Sequence, residues 1–372
     1  MARTQRRMKI LSTCFVLFAV TLLVSVGYAQ DLGGTPPFDG QERGASTLAF
    51  QGLLGRAAEA KERHVDRLMG NPDVVGAGVG VTQDGRPGVI ILTKRAGVAG
   101  VPTELEGVPV EVVVTGEIFA IPVHDKEPPL SAEVKGKGGI NRTQAFPLPV
   151  PIGVSTGNAN ECSAGTIGAR VKNSNKVYAL SNNHVYAREN SASIGESILQ
   201  PGLYDTQCVF NSNNVIGTLS YDEPIAFDTS TSANNTIDAA IAVSSPSDLG
   251  NATPSDGYGT PSATTVDASV GLAVMKYGRT SGQTKGSIYL TNGTILVGYS
   301  SGTARFIKQI GVLGSRGAFI KAGDSGSLLV TSSGKNPVGL LFAGDSSGKY
   351  AFANPIGLVL EAFGVEIDGT TQ

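Results

Sequence analysis

Tryptophan is absent from this chain of 372 residues, and cysteine and histidine are scarce, with three residues of each. After the first 29 residues only Cys162 and Cys208 remain, and neither lies in the C-x-x-C spacing typical of metal sites. The sequence therefore predicts no metal site.

Charge is also sparse. Charged residues make up only 16% of the chain and leave a formal net charge of -2. The sequence contains no basic stripe and no repeat of basic and aromatic residues. Because nucleic-acid-binding proteins depend on such positive patches, no nucleic acid partner is predicted.

Glycine, in contrast, is abundant, with 49 residues, and 41% of the chain is hydrophobic. This composition is typical of a globular protein with many short strands and turns, and the length allows two domains. Glycines at alternate positions from Gly76 to Gly80 enter a hairpin rather than open a helix, which excludes the G-x-G-x-x-G dinucleotide site. No cofactor is predicted.

Residues 1–29 have the pattern of a signal peptide. Basic residues precede an apolar run from Ile10 to Val26, which ends in small residues at Gly27 and Ala29. We therefore predict a protein that is secreted or periplasmic. The run could instead remain as a membrane anchor, because it is just long enough to span a bilayer. No other apolar stretch is long enough, so no stable membrane insertion is expected after the leader is removed.

Export also bears on the two remaining cysteines. In an oxidising compartment Cys162 and Cys208 can close one disulfide, which would staple the region around His184. The alternative is two unpaired thiols. We predict the disulfide.

The chain between the leader and residue 151 divides by composition. Residues 30–44 are rich in glycine, proline and polar groups, which is typical of a disordered start. Residues 45–121 combine an amphipathic helix from Ser46 to Met69 with several strands, two of them in a hairpin, and predict a small α+β domain. Its composition is compatible with a pro-region, a folding chaperone or a lid. Residues 122–150, rich in proline, glycine and lysine, predict a linker.

Residues 151–372 consist of short apolar or alternating runs bounded by glycine, asparagine, serine or aspartate. Helical periodicity returns only from Ile356 to Phe363. Many short strands with turns at near-regular intervals predict a mainly β domain, a sandwich or barrel of antiparallel strands.

The chemistry of this domain is expected at Ser325, an isolated hydroxyl in the sequence Gly-Asp-Ser-Gly. Glycines at 323 and 326 permit a tight backbone path that turns the N–H groups of Gly323 and Ser325 toward one point. Such a pair of donors can form an oxyanion hole. A serine is a weak nucleophile at neutral pH, so a base and a group that orients the base must come from elsewhere in the chain.

His184 is the single histidine of residues 151–372, and it follows a strand that ends in polar residues. It is therefore the candidate base. Asp238 leads directly into an apolar strand, where a carboxylate is costly unless it is hydrogen-bonded, and it is the candidate for orienting the imidazole. Asp228 is the second choice.

The order of His184, Asp238 and Ser325, each within its own motif, resembles that of trypsin-like (chymotrypsin-fold) serine peptidases. The motifs are Ser-Asn-Asn-His-Val, Ile-Asp-Ala-Ala-Ile-Ala and Gly-Asp-Ser-Gly-Ser, and the similarity extends to the bacterial and plant branch that includes the narrow leaf proteins. The resemblance implies a chymotrypsin-like double β-barrel of six strands each, preceded here by the small α+β domain. It also implies hydrolysis of a peptide or protein substrate through an acyl-enzyme, with no cofactor.

The same resemblance assigns substrate-binding roles. The segment that includes Phe342, Ala343 and Gly344 would pair with the substrate backbone along one wall of the pocket. Phe319 stands where this family sets charge preference, and the lack of an acid there argues against cleavage after lysine or arginine and favours a small or apolar side chain. Asp324, beside the nucleophile, has no obvious partner in the sequence, and we expect that no activation cleavage before Ile152 is required.

A second function is compatible with the same residues. The chain could be a noncatalytic secreted binding or scaffold protein that retains the barrel, or one limited to self-cleavage. The intact set of three residues favours the endopeptidase.

Overall fold

The computed structural model describes residues 40–120, 123–124 and 139–371. The predicted signal peptide, the start of the predicted disordered segment and much of the predicted linker lie outside the described residues. Residues 46–372 form one compact unit.

The first part of this unit is a helix followed by short strands: α1 (Gly40–Met69), β1 (Val74–Val81), β2 (Pro87–Thr93), β3 (Glu104–Leu105), β4 (Val108–Val114) and β5 (Ile118–Ala120). The apolar face of α1, with Ala57, Ala60 and Leu68, is buried against β1 and β2. Strands β1 and β2 are antiparallel and joined by a turn with Gly85 at φ 82°. The predicted hairpin is confirmed, and the predicted helix is present but begins at Gly40 rather than Ser46, so it includes the end of the segment predicted to be disordered.

A first β-barrel follows. Its elements are β6 (Val123–His124), β7 (Ser155–Asn158), β8 (Ser163–Thr166), β9 (Ala169–Lys172), β10 (Val177–Ser181), α2 (Asn183–Tyr186), β11 (Ser197–Leu199), β12 (Val215–Asp222) and β13 (Ala240–Ser244). The pairing order is β9-β10-β13-β12-β11-β7-β8, with β6 beside β8. Because β8 and β9 are consecutive parts of one segment, this order closes into a barrel, which is filled by apolar side chains such as Ile152, Ile198 and Leu219.

The second barrel comprises β14 (Ala273–Gly278), β15 (Gly282–Tyr299), β16 (Gly302–Gly314), β17 (Leu328–Thr331), β18 (Pro337–Asp345) and β19 (Tyr350–Pro355), followed by α3 (Ile356–Phe363) and β20 (Glu366–Ile367). The order β14-β17-β18-β19-β16-β15 closes through a further pairing between β14 and β15. Its interior holds Val274, Ile288 and Leu329. The prediction of a mainly β fold built of two barrels is confirmed.

The hairpin formed by β15 and β16 is longer than the sequence predicts. The apolar runs at 285–291 and 293–298, separated by Asn292, predict two strands by their pattern. In the structure they are one strand, because Asn292 adopts φ 48° and the register shifts there without ending the pairing. A bulge of this kind bends a strand but does not end it. The hairpin therefore extends well beyond the barrel wall.

The extended hairpin joins the first segment of the chain, residues 40–120, to the second barrel. Strand β1 pairs with β15 in antiparallel register, with Gly76 opposite Ile295. A Cβ at Gly78 would lie 2.5 Å from the Leu290 side chain, which explains why this strand carries glycine there. Strands from either side of the predicted linker thus share one sheet.

Cys162 and Cys208 form a disulfide, with their Cα atoms 5.2 Å apart, so this prediction is confirmed. It encloses the chain from β8 past α2, which keeps the region around His184 within one closed loop. Among the helices of the described residues, none is long and apolar enough to cross a membrane.

Candidate active site

Ser325 lies in a tight turn that enters β17. Gly323 and Gly326, on either side of it, have φ of 89° and 90°, a conformation that favours glycine. At Gly326 a side chain is also excluded by space, because a Cβ would overlap Ser181 Oγ and the carbonyl oxygen of Thr166. The turn of the second barrel is therefore pressed against strands of the first.

Two hydrogen bonds fix this contact between the barrels. The N–H of Thr166 donates to the carbonyl oxygen of Ser325 at 2.8 Å, and Thr166 Oγ1 donates to the carbonyl oxygen of Gly323 at 2.8 Å. Strand β8, which carries Thr166, lies in the same sheet as β10, the strand that leads to His184. The fold thus brings the serine turn to the part of the first barrel that carries the histidine.

His184 is on the short helix α2 and is buried, with 1% of its surface exposed. Its Nδ1 lies 2.5 Å from Asp238 Oδ2, and its backbone N–H donates to Asp238 Oδ1 at 3.2 Å. An acceptor at Nδ1 favours the tautomer with the proton on that nitrogen, which leaves Nε2 as a base. The predicted pairing of His184 with Asp238 is present in the structure.

Asp238 is held by both barrels. Its N–H donates to Asn354 Oδ1 on β19 at 3.0 Å, and its carbonyl oxygen accepts from Asn182 Nδ2 at 2.7 Å. Its side chain is fully buried. Asp228, the second choice from the sequence, is exposed and accepts hydrogen bonds from Ser230 instead.

Two buried polar atoms of this site have no partner among the described residues: His184 Nε2 and Ser325 Oγ. The structure places no hydrogen bond between them. Likewise, the N–H groups of Gly323 and Ser325 donate to no acceptor in the described part of the chain. Buried polar groups without partners are costly in a folded protein, and a catalytic role is one explanation of such a cost.

Asp324 has a partner that the sequence did not reveal. Lys276, in the middle of β14, places Nζ 2.9 Å from Asp324 Oδ2, and both side chains are fully buried. The N–H groups of Thr280 and Ser281 donate to Asp324 Oδ1 at 2.8 and 3.0 Å. The partner of Asp324 was not obvious from the sequence, because Lys276 comes from a strand remote in sequence.

Burial alone would raise the pKa of the Asp324 carboxyl, but the Lys276 ammonium and the hydrogen bonds from Ser281 and Lys276 lower it below its ordinary value. The ion pair is thus maintained without a free N terminus. Ile152, within the chain, is itself buried, and its N–H donates to the carbonyl oxygen of Ala252 at 3.1 Å.

Comparison with known proteins finds likenesses in structure alone. No family model matches the sequence, and no curated protein matches it. Solved structures of serine proteases do match. A glutamic acid specific serine protease, described as using a histidine triad in substrate binding, is 20% identical, with a TM-score of 0.42, and the match covers 59% of this chain and 100% of that one.

Two further matches have similar values. Thermobifida fusca protease A is 21% identical over 59% of this chain and 100% of its own, with a TM-score of 0.42. Cellulomonas bogoriensis chymotrypsin is 20% identical over 59% of this chain and 99% of its own, with a TM-score of 0.40. The likeness is one of fold.

Two of the residues predicted to bind substrate have side chains in the core. Phe319 is fully buried among apolar residues of the second barrel, and Thr284 Oγ1 donates to its carbonyl oxygen at 2.7 Å. Phe342 is also fully buried, with its ring 4.9 Å from that of Phe306. Neither side chain is free to contact a substrate in this conformation.

The other two, Ala343 and Gly344, lie at an edge that is already paired. Strand β5 runs antiparallel to the end of β18, with Ala120 opposite Ala343 and Phe119 opposite Gly344. On its other side Phe119 is opposite Gly298 of β15. The backbone position predicted for a substrate strand is thus occupied by the chain's own first segment.

Sequence reasoning missed Tyr299 as well as Lys276. Tyr299 Oη donates to Asp238 Oδ2 at 2.9 Å, from the end of β15. Lys276 had a detectable signal, since a lysine inside an apolar strand requires a buried partner. Tyr299 had none, because its position depends on the length of the hairpin. Within the described residues, no group of three or more His, Cys, Asp or Glu side chains could hold a metal ion.

Proposed function

We propose that this protein is a secreted serine endopeptidase with Ser325 as nucleophile, His184 as general base and Asp238 as the group that orients the base. The observation that carries the proposal is the buried pair of His184 Nδ1 and Asp238 Oδ2, 2.5 Å apart, together with an unpartnered His184 Nε2 and an unpartnered Ser325 Oγ. These are the atoms that proton transfer to the base requires.

In the proposed reaction Ser325 Oγ attacks the carbonyl carbon of a peptide bond while its proton passes to Nε2 of His184. Asp238 stabilises the imidazolium, and the N–H groups of Gly323 and Ser325 bind the oxyanion. The imidazolium then protonates the leaving amine, which leaves an acyl group on Ser325. Water, deprotonated by His184, releases the acid and restores the serine.

The first segment of the chain is proposed to act as a pro-region that keeps this site closed. Strand β5 occupies Ala343 and Gly344 on one side of the serine turn, and β6 pairs with β8 on the other, with Val123 opposite Ala164. Ser325 and His184 are 0% and 1% exposed. A substrate strand can reach them only after β5 leaves the edge of β18.

Two features of specificity and activation belong to the same proposal. Because position 319, where the resemblance places the charge preference, carries a buried phenylalanine and no acid, the side chain preferred before the cleaved bond is small or apolar rather than lysine or arginine. Because Lys276 already neutralises Asp324, no new N terminus at Ile152 is required for activity.

Labelling of the full chain with a fluorophosphonate probe tests the proposal. We expect an adduct on Ser325, identified by mass spectrometry of the peptide, and its loss in both Ser325→Ala and His184→Ala. Ser332→Ala removes an exposed serine seven positions later and should leave the labelling unchanged.

Absence of the adduct would support the noncatalytic scaffold, provided that the protein is folded by circular dichroism. For this conclusion the Ser325 adduct must also be absent in Phe119→Pro, a variant designed to release β5 from the edge of β18. Adducts on other serines with Ser325 unlabelled would also contradict the assignment.

A further inference from the structure

The Asp238 carboxylate receives hydrogen bonds from both barrels. His184 approaches it from the first barrel through its ring and its backbone N–H. Tyr299 approaches from the second barrel, and its Oη donates at 2.9 Å to Oδ2, the same oxygen that faces His184 Nδ1. Since Ser325 also belongs to the second barrel, Tyr299 connects the histidine and aspartate to the barrel that carries the nucleophile.

The Tyr299 ring is fixed in place by other aromatic side chains. It packs edge-on against Phe227, with ring centroids 5.5 Å apart, and is stacked on Phe306 at 6.2 Å. It also makes a T-shaped contact with the His184 ring, with centroids 5.9 Å apart. A phenylalanine at this position would keep all of these contacts and lose the hydroxyl alone.

The hairpin tip beyond Tyr299 is anchored to the first barrel as well. The N–H groups of Ser300 and Ser301 donate to the two carboxylate oxygens of Glu189 at 3.1 and 2.7 Å. Glu189 lies five residues after His184, on the loop that follows α2. The hairpin therefore reaches from the second barrel to the first and is held there at two points, Asp238 and Glu189.

We propose that Tyr299 is a positioning residue of this site, whose hydroxyl holds the Asp238 carboxylate so that His184 is aligned with Ser325. The inference rests on the proposed endopeptidase function. It extends the set of three residues to a fourth, supplied by the long hairpin of the second barrel.

The charged groups around the hydroxyl support a donor role. Asp238 accepts from it, His184 faces its ring, and Glu189 is the further acid nearby. Burial and the charge of Asp238 raise the pKa of Tyr299 well above its ordinary value, so the hydroxyl stays protonated at neutral pH. A protonated hydroxyl can donate a hydrogen bond to the Asp238 carboxylate.

Tyr299→Phe tests the proposal through the pH dependence of Ser325 phosphonylation in the full chain. We expect the maximal rate constant to fall roughly tenfold, the effect of losing a hydrogen bond to a charged group. We also expect the acid limb of the profile to move to higher pH, because a carboxylate that loses one donor attracts the imidazolium proton more strongly.

Tyr289→Phe is the matched control. Tyr289 is on the same strand, β15, and its buried hydroxyl has no hydrogen-bond partner among the described residues. Its removal should change neither the rate constant nor the acid limb. If Tyr299→Phe behaves like this control while the unaltered chain is labelled at Ser325, the positioning role is wrong and the proposed function stands. If the unaltered chain is not labelled even with β5 released, the proposed function itself fails.

Discussion

A buried ion pair supports the turn that presents Ser325. Asp324 is followed directly by Ser325, and its carboxylate is surrounded by donors, with Lys276 Nζ at 2.9 Å and the N–H of Lys321 at 3.0 Å. The backbone oxygen of Asp324 also accepts from the N–H of Ser327 at 3.0 Å. Any change that releases this carboxylate therefore alters the path of the backbone on both sides of the nucleophile.

Lys276→Met is expected to destabilise the protein by about 3 to 5 kcal/mol, because it leaves the Asp324 carboxylate buried without its cation. Urea denaturation of the full chain measures this loss, and phosphonylation of Ser325 should decline with it. Asp324→Asn added to Lys276→Met should recover part of the stability, since neither member of the pair is then charged.

An exposed ion pair provides the control for this variant. Lys172 and Glu366 lie 3.7 Å apart with 39% and 71% of their side chains exposed, so Glu366→Gln should cost less than about 1 kcal/mol. A cost for Lys276→Met no larger than this would show that the buried pair does not hold the turn.

Among single residues, the sequence predicted those for which few other residues of the chain could supply the same chemistry. His184 is the single histidine after residue 151, and Asp238 stands out because it enters an apolar strand. Tyr299 could not be predicted, since many tyrosines precede a turn and only the three-dimensional path of β15 brings this one to Asp238. Phe319 was assigned to the substrate pocket by resemblance alone, and its side chain is buried in the core of the second barrel.

Among the elements, β5 has the largest consequence for function despite its three residues. It is paired on both sides, with β18 and with β15, and Ile118 is buried in the cluster that includes Phe342 and Ala343. A strand that is paired on both sides loses more hydrogen bonds on leaving than an edge strand does. We therefore expect the release of β5 to limit access to Ser325.

Phe119→Pro should increase the rate of Ser325 phosphonylation by roughly ten- to a hundredfold, because proline removes an N–H from a strand paired on both sides. Phe119→Ala is the control, since it keeps the N–H and changes only a side chain that is already 40% exposed. The rates of the two variants and of the unaltered chain are compared under one set of conditions. Equal rates in two folded variants would mean that β5 does not limit access.

The sequence predicted the existence of most strands better than their pairing. Helix α3 has the predicted bounds, and the short apolar runs of residues 151–372 are mostly strands, as expected. Alternation of apolar residues shows that a segment is a strand, but it does not show which edge the strand joins. The pairing of β5 with β18 depends on contacts between residues more than two hundred positions apart, which local patterns do not encode.

The molecule as a whole depends on several links between parts of the chain that are distant in sequence. Lys61 on α1 donates to Thr294 Oγ1 on β15 at 2.7 Å, which ties the first segment to the long hairpin. The disulfide from Cys162 to Cys208 closes a loop over a sequence separation of 46 and encloses His184. Closing such a loop stabilises the folded state mainly by restricting the unfolded chain.

The stability of the whole molecule should depend on pH, because carboxyl groups such as that of Glu196 have a lowered pKa in the folded protein. Glu196 accepts from Arg188 Nη2 at 2.7 Å and from Asn158 Nδ2 at 2.7 Å, close to the loop that follows His184. Partial burial opposes the shift, but the hydrogen bonds, led by that from Arg188, lower the pKa of Glu196 from 4.5 to about 2. A carboxyl whose pKa is lower in the folded state stabilises the protein above its unfolded pKa, and this contribution is lost as the pH falls through the folded value.

Glu196→Gln should therefore cost about 1 to 2 kcal/mol of unfolding free energy at pH 6, where the carboxylate is ionised in both states. The difference between the variant and the unaltered chain should shrink between pH 4.5 and about 2, the interval between the ordinary and the folded pKa. Urea denaturation at several pH values measures it, with Glu361→Gln, an exposed residue of α3, as the control. A difference that stays constant down to pH 2 would mean that Glu196 stabilises the molecule by its shape and hydrogen bonds rather than by its charge.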